Sequence, residues 1–365
     1  MRKNKVLMVS CEGLGKGGVQ SVMMNFIRNM NDSYIFDMLL FTNEIRYYDN
    51  EFLRYGGKIF RIPFYSGKNR FRKKIDYYIR GISLYYKIKK VISANGPYQA
   101  IHCHNGFESA LCLIAAKKSN IPIRICHSHT NPNKSNLASQ ILNSIYRFFI
   151  NKTSTHKIGC SLQACDFLFG KKKAIVLNNA YDDSAYSQNK YISQKDSSIR
   201  LIQVGHFDNN KNQSFSIDVL NHILQFDNNA SLKLIGFGNE NFINSLREKV
   251  KKYNIENNVS FYDGTTADIP QLMSESDFFI FPSKREGFGI TLVEAQAMGL
   301  KCFASDSVPK TTNVGGCIYL SLNDGPCKWA QRILSTPTEK NIYDCSKFKI
   351  SEIIIIMDSI YKGVG

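Results

Sequence analysis

Three things are missing from this chain. No apolar run in its 365 residues approaches the ~18 residues of a membrane-spanning helix, so no candidate span is present. Its ten cysteines are scattered without one C-x-x-C pair. Cys160 and Cys165 are too weak a pair to suggest a metal site, and reduced thiols in a cytosolic setting are expected. Acidic residues are scarce, but in one half only. Residues 1–178 hold 28 Lys and Arg against 9 Asp and Glu, a balance of +19, whereas residues 179–365 hold 19 against 21, a balance of −2.

What is present is an α/β alternation, given twice. The length exceeds what one hydrophobic core usually holds, which predicts two domains. The opening "MRKNKVLMVSCEGLGKGG" is basic and then apolar. Its apolar part is short and turns to glycine, so it reads as a first buried strand rather than a signal peptide. Strands at 5–10, 36–41, 58–63, 98–104, 123–129, 156–161 and 173–180 are interleaved with helical patterns. The stretch 181–198 is polar and without period, and reads as a linker. Alternation then restarts, with strands near 199–205, 231–238, 259–264, 277–283 and 301–306, and an apolar helix over 351–362 ends the series. Such alternation predicts parallel sheets with crossover helices. The expected architecture is two facing Rossmann-like domains, 1–180 and 199–340, joined by 181–198, with a tail at 341–365 packing back toward the first. Ligands are then expected at the carboxyl ends of the strands, in the cleft between the domains.

The most informative stretch is "SKREGFGITLVEAQAMGL", residues 283–300. It follows a buried-strand pattern and carries two glycines before a short helix, predicted to open at Thr291 and close at Gly299. Strand, glycine loop and helix N-terminus form an anion-binding geometry, because free N–H groups and the positive helix end converge there. Glu286 lies in the loop and Glu294 one turn into the helix. Each has an ordinary reading: Thr291 and Glu294 fit a capping box, and Glu286 fits a loop charge. Together with Gly287 and Gly289 they fit a ligand with hydroxyls beside phosphates.

Other motifs fall at strand ends. Gly13, Gly15 and Gly18 satisfy G-x-G-x-x-G, but as a dinucleotide fingerprint this is weak, and Glu44 is a poor match for the acid it needs. What survives is a loop whose amides can approach a phosphate. Lys211 sits where a strand gives way to a helix, placed to reach a diphosphate. His102 and His104, and His127 and His129, end two strands, each pair on one face. No recognisable zinc spacing completes them. They read as hydrogen-bonding groups at strand tips, or, for His102 and His127, as core histidines.

These blocks resemble glycosyltransferase family 4, the retaining transferases of GT-B fold, and come nearest to its bacterial exopolysaccharide and capsule enzymes. "EGFGITLVEAQAMGL" resembles the family's E-x7-E signature, and "GKGGVQSVMMNF", "IHCHN", "IRICHSHT", "VLNNA" and "LIGFGN" extend the likeness over nearly the whole chain. The resemblance implies the following roles. Glu294 would hold the ribose hydroxyls. Glu286 and the amides of Gly287, Phe288 and Gly289 would hold the donor sugar and phosphates. Lys211 would neutralise the leaving diphosphate, approached also by Gly17 and Gly18. His104 would touch the transferred sugar, and His129 would lie on the acceptor or sugar side. Where the family has an arginine after "VG", this chain has His206. The implied donor is a nucleotide-diphosphate sugar, expected to be a UDP-sugar, with a lipid-linked or saccharide acceptor in surface polysaccharide synthesis. No metal and no cofactor are implied.

Two other function classes fit the residues less well. One is a nucleotide-sugar epimerase of the same fold, and the other a non-catalytic binding module at a membrane surface. The basic half bears on location. Residues 67–90 hold nine Lys and Arg against Asp76 alone, with tyrosines and isoleucines interleaved. A solvated helix face is the ordinary reading. A surface that rests on an anionic membrane is the preferred one, with the protein cytoplasmic and peripheral, and no nucleic-acid partner is expected.

Overall fold

The computed structural model describes residues 3–15, 17–63, 73–129, 137–188 and 198–364, with all their side chains except those at 73–80, 107 and 137–139. The chain divides into two compact units, Met1–Ala180 with Ile350–Gly365, and Tyr181–Lys349. Divisions therefore fall at Ala180/Tyr181 and Lys349/Ile350. Much of the stretch read as a linker, 189–197, lies outside the described residues, as does 67–72 of the basic stretch 67–90.

The first unit carries seven strands: β1 (Asn4–Ser10), β2 (Tyr34–Leu40), β3 (Ile59–Arg61), β4 (Ala100–Cys103), β5 (Ile123–Ser128), β6 (His156–Gly159) and β7 (Ile175–Val176). They form one sheet in the order β3-β2-β1-β4-β5-β6-β7, and every pairing is parallel. A parallel sheet is covered on both faces, which is why β1 and β4 read as near-continuous apolar runs. Helices α1 (Gly18–Met30) and α2 (Asp49–Arg54) follow β1 and β2. Helix α3 (Lys73–Asn95) precedes β4. Helices α4 (Ser109–Lys118), α5 (Leu137–Thr153) and α6 (Leu162–Phe169) follow β4, β5 and β6. On one face α1 packs its stripe Val22, Met23, Phe26, Ile27 and Met30, spaced for a helix. The last helix of the chain, Ile350–Lys362, joins that face through Ile353, Met357, Ile360 and Tyr361. The other face is covered by α3 to α6, with Leu84, Ile88, Leu113, Ile150 and Leu168 in a single core.

The second unit repeats the plan with β8 (Arg200–Val204), β9 (Ser231–Gly236), β10 (Val259–Asp263), β11 (Phe278–Phe281), β12 (Lys301–Ser305) and β13 (Cys317–Leu320). Their order is β10-β9-β8-β11-β12-β13, again all parallel. The crossovers include α7 (Gln213–Ile223), α8 (Glu240–Lys252), α9 (Ile269–Ser274), α10 (Ile290–Ala297) and α11 (Gly325–Leu334). The sequence pattern had not suggested β13, α11 or α6. β13 is half-buried along its length, so it shows neither a clean alternation nor an apolar run.

In each sheet the strand order reverses once, between β1 and β4 in the first unit and between β8 and β11 in the second. Loops leaving two such strands run in opposite directions and open a crevice at their carboxyl ends. The loops after these strands carry Gly17, His104, His206, Lys211 and Glu286–Gly289, whereas His129 follows β5 and Glu294 lies within α10.

Candidate active site

In the second unit the two loops at the reversal are stitched together. Lys284 N–H donates to Asn210 O at 2.8 Å, Asn210 Nδ2 donates to Arg285 O at 2.8 Å, and Asn212 Nδ2 donates to Pro282 O at 3.3 Å. Asp208 accepts from the Lys211 amide at 2.8 Å and so shapes the β8–α7 turn. Asn212 stands in the left-handed region, φ +59°, and starts α7. The result brings Lys211 Nζ onto the Glu286 carboxylate, 75 residues away in sequence. The lysine stem lies against Gly205, and its ammonium stands 5.0 Å above the Phe281 ring. A cation held this way is preorganised rather than solvated.

Helix α10 opens at Ile290, one residue before the predicted start, with Gly289 as its N-cap. Thr291 is therefore inside the helix and the Thr291/Glu294 capping box is not formed. The N-terminus has no side-chain cap and no acid in its first turn, which leaves its positive end for a ligand. Gly289 has φ +85°, and a Cβ there would also press on Glu286 and Phe281 at 3.4 Å. Gly287 has open space where a side chain would stand. Phe288 turns its ring into a core with Val293 and Phe348, so only its backbone is available to a ligand. At the far end Gly299, φ +79°, closes the helix, with Gly299 N–H on Gln296 O and Leu300 N–H on Ala295 O, a Schellman arrangement. Buried Gln296 then pins α10 to the following loop, donating to Thr312 O and accepting from Val314 and Gly316 amides.

Glu294 is half-buried and receives a hydrogen bond from the Tyr186 hydroxyl. Burial raises its carboxyl to about 7, the Tyr186 bond works against that rise, and nearby Asp182 adds to it. Tyr186 and Asp182 were not singled out in the sequence. Both fall at the start of the polar stretch read as a linker, where nothing local marks them. His206 Nδ1 lies 3.4 Å from Asp208 Oδ2, its ring edge-on to Phe237 at 5.1 Å, beside rather than on the Lys211–Glu286 pair.

In the first unit β4 and β5 lie side by side, so the two histidine pairs meet. His102 Nε2 faces His127 Nδ1 at 3.2 Å, and His104 Nδ1 faces His129 Nε2 at 2.8 Å. His102 Nδ1 also meets the Tyr361 hydroxyl at 2.8 Å, from the last helix. Burial holds His102, His104 and His127 well below the ordinary imidazole range and lowers His129 to about 4, so all four are neutral at pH 7. Sequence spacing showed no zinc pattern here, yet His102, His104 and His127 bring one ring nitrogen each within 4.8 Å of the others, close enough to hold an ion. Of these three, His102 uses both ring nitrogens, on Tyr361 and His127, while His127 Nε2 is buried without a hydrogen-bond partner. His104 Nε2 is buried without a hydrogen-bond partner.

The glycine loop after β1 is closed by side chains. Gly17 is the N-cap of α1, and a Cβ there would meet Gln20 Oε1, while Gly18 has open space. Arg46 lies over Gly13 and pairs with Glu44, which sits four residues beyond β2, so no free acid completes a dinucleotide site there.

The family described as "Glycosyl transferases group 1" matches residues 187–314, the part that holds Lys211, Glu286 and Glu294. The chain is 30% identical over 339 residues to "Putative glycosyltransferase EpsF" of Bacillus subtilis (strain 168), covering 88% of this chain and 85% of that one. The chain belongs to the group 1 glycosyltransferases. A second relative is "UDP-Gal:alpha-D-GlcNAc-diphosphoundecaprenol alpha-1,3-galactosyltransferase" of Escherichia coli, 22% identical over 67% of this chain and 64% of its own. Among solved structures, Anabaena Alr3699/HepE in complex with UDP and glucose superposes with a TM-score of 0.72 at 16% identity, over 99% of this glycosyltransferase and 100% of that chain. The likeness supports the GT-B fold of two parallel-sheet units.

Proposed function

We propose that this glycosyltransferase moves a sugar, with retention, from a UDP-sugar to a lipid-linked saccharide in the assembly of a bacterial surface polysaccharide. The observation that carries the proposal is the Lys211–Glu286 pair at the uncapped, glycine-bounded start of α10, with Glu294 one turn further in. Three anion-binding elements converge there: an ammonium, a helix N-terminus and the amides of Gly287, Phe288 and Gly289. A diphosphate entering this site exchanges places with the Glu286 carboxylate on Lys211. Glu286 is then released toward the sugar hydroxyls. As the glycosidic bond to the diphosphate breaks, negative charge grows on the leaving oxygen, and Lys211 and the helix end stabilise it. Glu294, steadied by Tyr186, accepts from the ribose hydroxyls. His206 stands in for the family's arginine near the diphosphate.

No side chain in this reading forms a covalent bond to the sugar. The acceptor hydroxyl attacks on the face the diphosphate leaves and passes its proton to the departing diphosphate oxygen, which gives retention without a metal or cofactor. In the first unit, His104 keeps a buried Nε2 without a hydrogen-bond partner and sets its Nδ1 2.8 Å from His129 Nε2, so this pair is the group proposed for the sugar or acceptor side. The names of relatives support the substrate classes: one specifies a UDP-linked donor and a diphosphoundecaprenol-linked acceptor, and another, from Staphylococcus aureus, capsular polysaccharide biosynthesis. The basic first unit fits a protein that works at the anionic inner face of the cell membrane.

The test is product analysis with a panel of UDP-sugars, with and without a lipid-diphosphate-linked saccharide. Transfer that requires the acceptor supports the reading. Conversion of the nucleotide sugar without any acceptor contradicts it.

A further inference from the structure

We infer that α5 is the element by which this chain enters the bilayer, an apolar stripe inserted among anionic headgroups. The inference rests on the reading that the acceptor is lipid-linked. Along α5, Ile141, Ile145 and Phe148 are 59%, 46% and 59% exposed. At 100° per residue the three fall within about 60° of arc, a single stripe. Ile150, on the opposite side of the helix, is fully buried in the core under the sheet. Soluble helices normally present charge on their outer face, so an outward stripe of large apolar residues calls for a partner.

The neighbouring helices show what that partner is. Helix α4 packs between α3 and α5. On α3, Leu84, Ile88 and Ile92 turn to the core, while Ile82 and Tyr86 point outward, one turn apart. Some of the apolar residues interleaved in the basic cluster are therefore core, and others form a second outward stripe. Between Gly81 and Asn95 there is no Asp or Glu, and none in α5. Exposed lysines surround the stripes instead. Lys87 and Lys90 lie on α3, Lys117 and Lys118 at the end of α4, and Lys152 sets its Nζ 5.7 Å from the Phe148 ring. Apolar stripes in a cationic frame match a surface that is anionic outside and hydrocarbon beneath. A second copy of the chain matches less well, because it would oppose lysines to lysines.

The charges and the stripe have separable signatures. Attraction by lysines falls with salt, whereas burial of the stripe does not. The experiment measures partition of the full chain onto phosphatidylcholine vesicles with and without phosphatidylglycerol. It compares the parent, the triple variant Ile141→Ser/Ile145→Ser/Phe148→Ser, and Phe226→Ser, an exposed aromatic of the second unit, as a control. All these positions are on the surface, and unchanged thermal melting establishes the fold. The triple variant is expected to partition onto anionic vesicles at least roughly tenfold more weakly, about 1.4 kcal/mol, and to lose its residual binding at high salt. The control variant matches the parent. In a Phe148→Trp variant, brominated lipid quenches the new indole emission. If the parent binds anionic vesicles and the triple variant binds equally well, with the emission of Phe148→Trp unquenched, α5 is not the insertion element while the membrane reading stands. If the parent binds no anionic vesicles, both fail. If the parent sediments as a dimer and the triple variant as a monomer, with vesicle binding unchanged, a second copy covers the stripe and the inference is overturned.

Discussion

Both units place polar groups at the point where the strand order of a parallel sheet reverses, and they do so with opposite electrical character. In the second unit the groups are ions. Lys211 and Glu286 are paired, Asp208 orders the turn, and Glu294 lies behind with its carboxyl raised to about 7. In the first unit they are four imidazoles at the ends of β4 and its neighbour β5, all held neutral by burial. The architecture fixes where chemistry can sit, while the side chains fix which chemistry. A site built of ions and helix amides suits a diphosphate. A site built of neutral donors and acceptors suits sugar hydroxyls, which it can hydrogen-bond without attracting a second phosphate.

That contrast can be broken most sharply at Lys211. Lys211→Ala removes the cation paired with Glu286, and turnover is expected to fall by roughly 100-fold or more, the usual cost of one preorganised donor to a developing anion. Steady-state kinetics with the preferred UDP-sugar checks this, and near-parental turnover would show that the helix end suffices alone. The two carboxylates should then separate. Glu294→Ala is expected to weaken UDP binding about tenfold with a smaller change in turnover, and Glu286→Ala to lower turnover more than affinity. Equal behaviour of both variants to the parent would dismiss their assignment.

The third effect is one of pH. Glu294 titrates near 7 in the folded protein, above the ordinary carboxyl value. Its contribution to stability is present below the ordinary carboxyl range and is lost as pH rises through about 7. Ligand binding should run the other way, because ribose hydroxyls need the ionised form. UDP affinity is expected to rise up to about tenfold between about pH 6 and about pH 8 in the parent, and to stay flat in Glu294→Gln. Titrations at the two pH values, with melting curves of the free protein, check both signs. The smallest effect is at His206. Because it lies beside Asp208 rather than on the Lys211–Glu286 pair, His206→Arg is expected to hold or raise turnover within about threefold. A folded but inactive variant would give His206 a role of its own.

The parallel sheets, and the glycine loop and short helix of the second-unit candidate site, were readable in the sequence, because their signals are local. Apolar strand runs, the glycines at 287 and 289, and a short helix ended by Gly299 occupy adjacent positions. Lys211 was placed by its position after a strand. Its contact with Glu286 was not readable, since it depends on three hydrogen bonds between loops about 75 residues apart. The expected helix start at Thr291 is one residue late because Gly289, by adopting a positive φ, caps the helix before Ile290. Tyr186 and Asp182 were hidden in a polar stretch without period. The histidines were visible as two pairs, but their joining required the pairing of β4 with β5. The outward stripe of α5 could not be told from a core stripe by periodicity alone, which gives the phase of a helix and not its exposure.

The most direct measurement is calorimetric titration of UDP into the full-length parent protein and into Lys211→Ala and Glu294→Ala, at a pH of about 8 where Glu294 is ionised. The account predicts one saturable site per chain in the parent and affinity reduced about tenfold or more in each variant. Absence of saturable binding in the parent, or parental affinity in both variants, would contradict it.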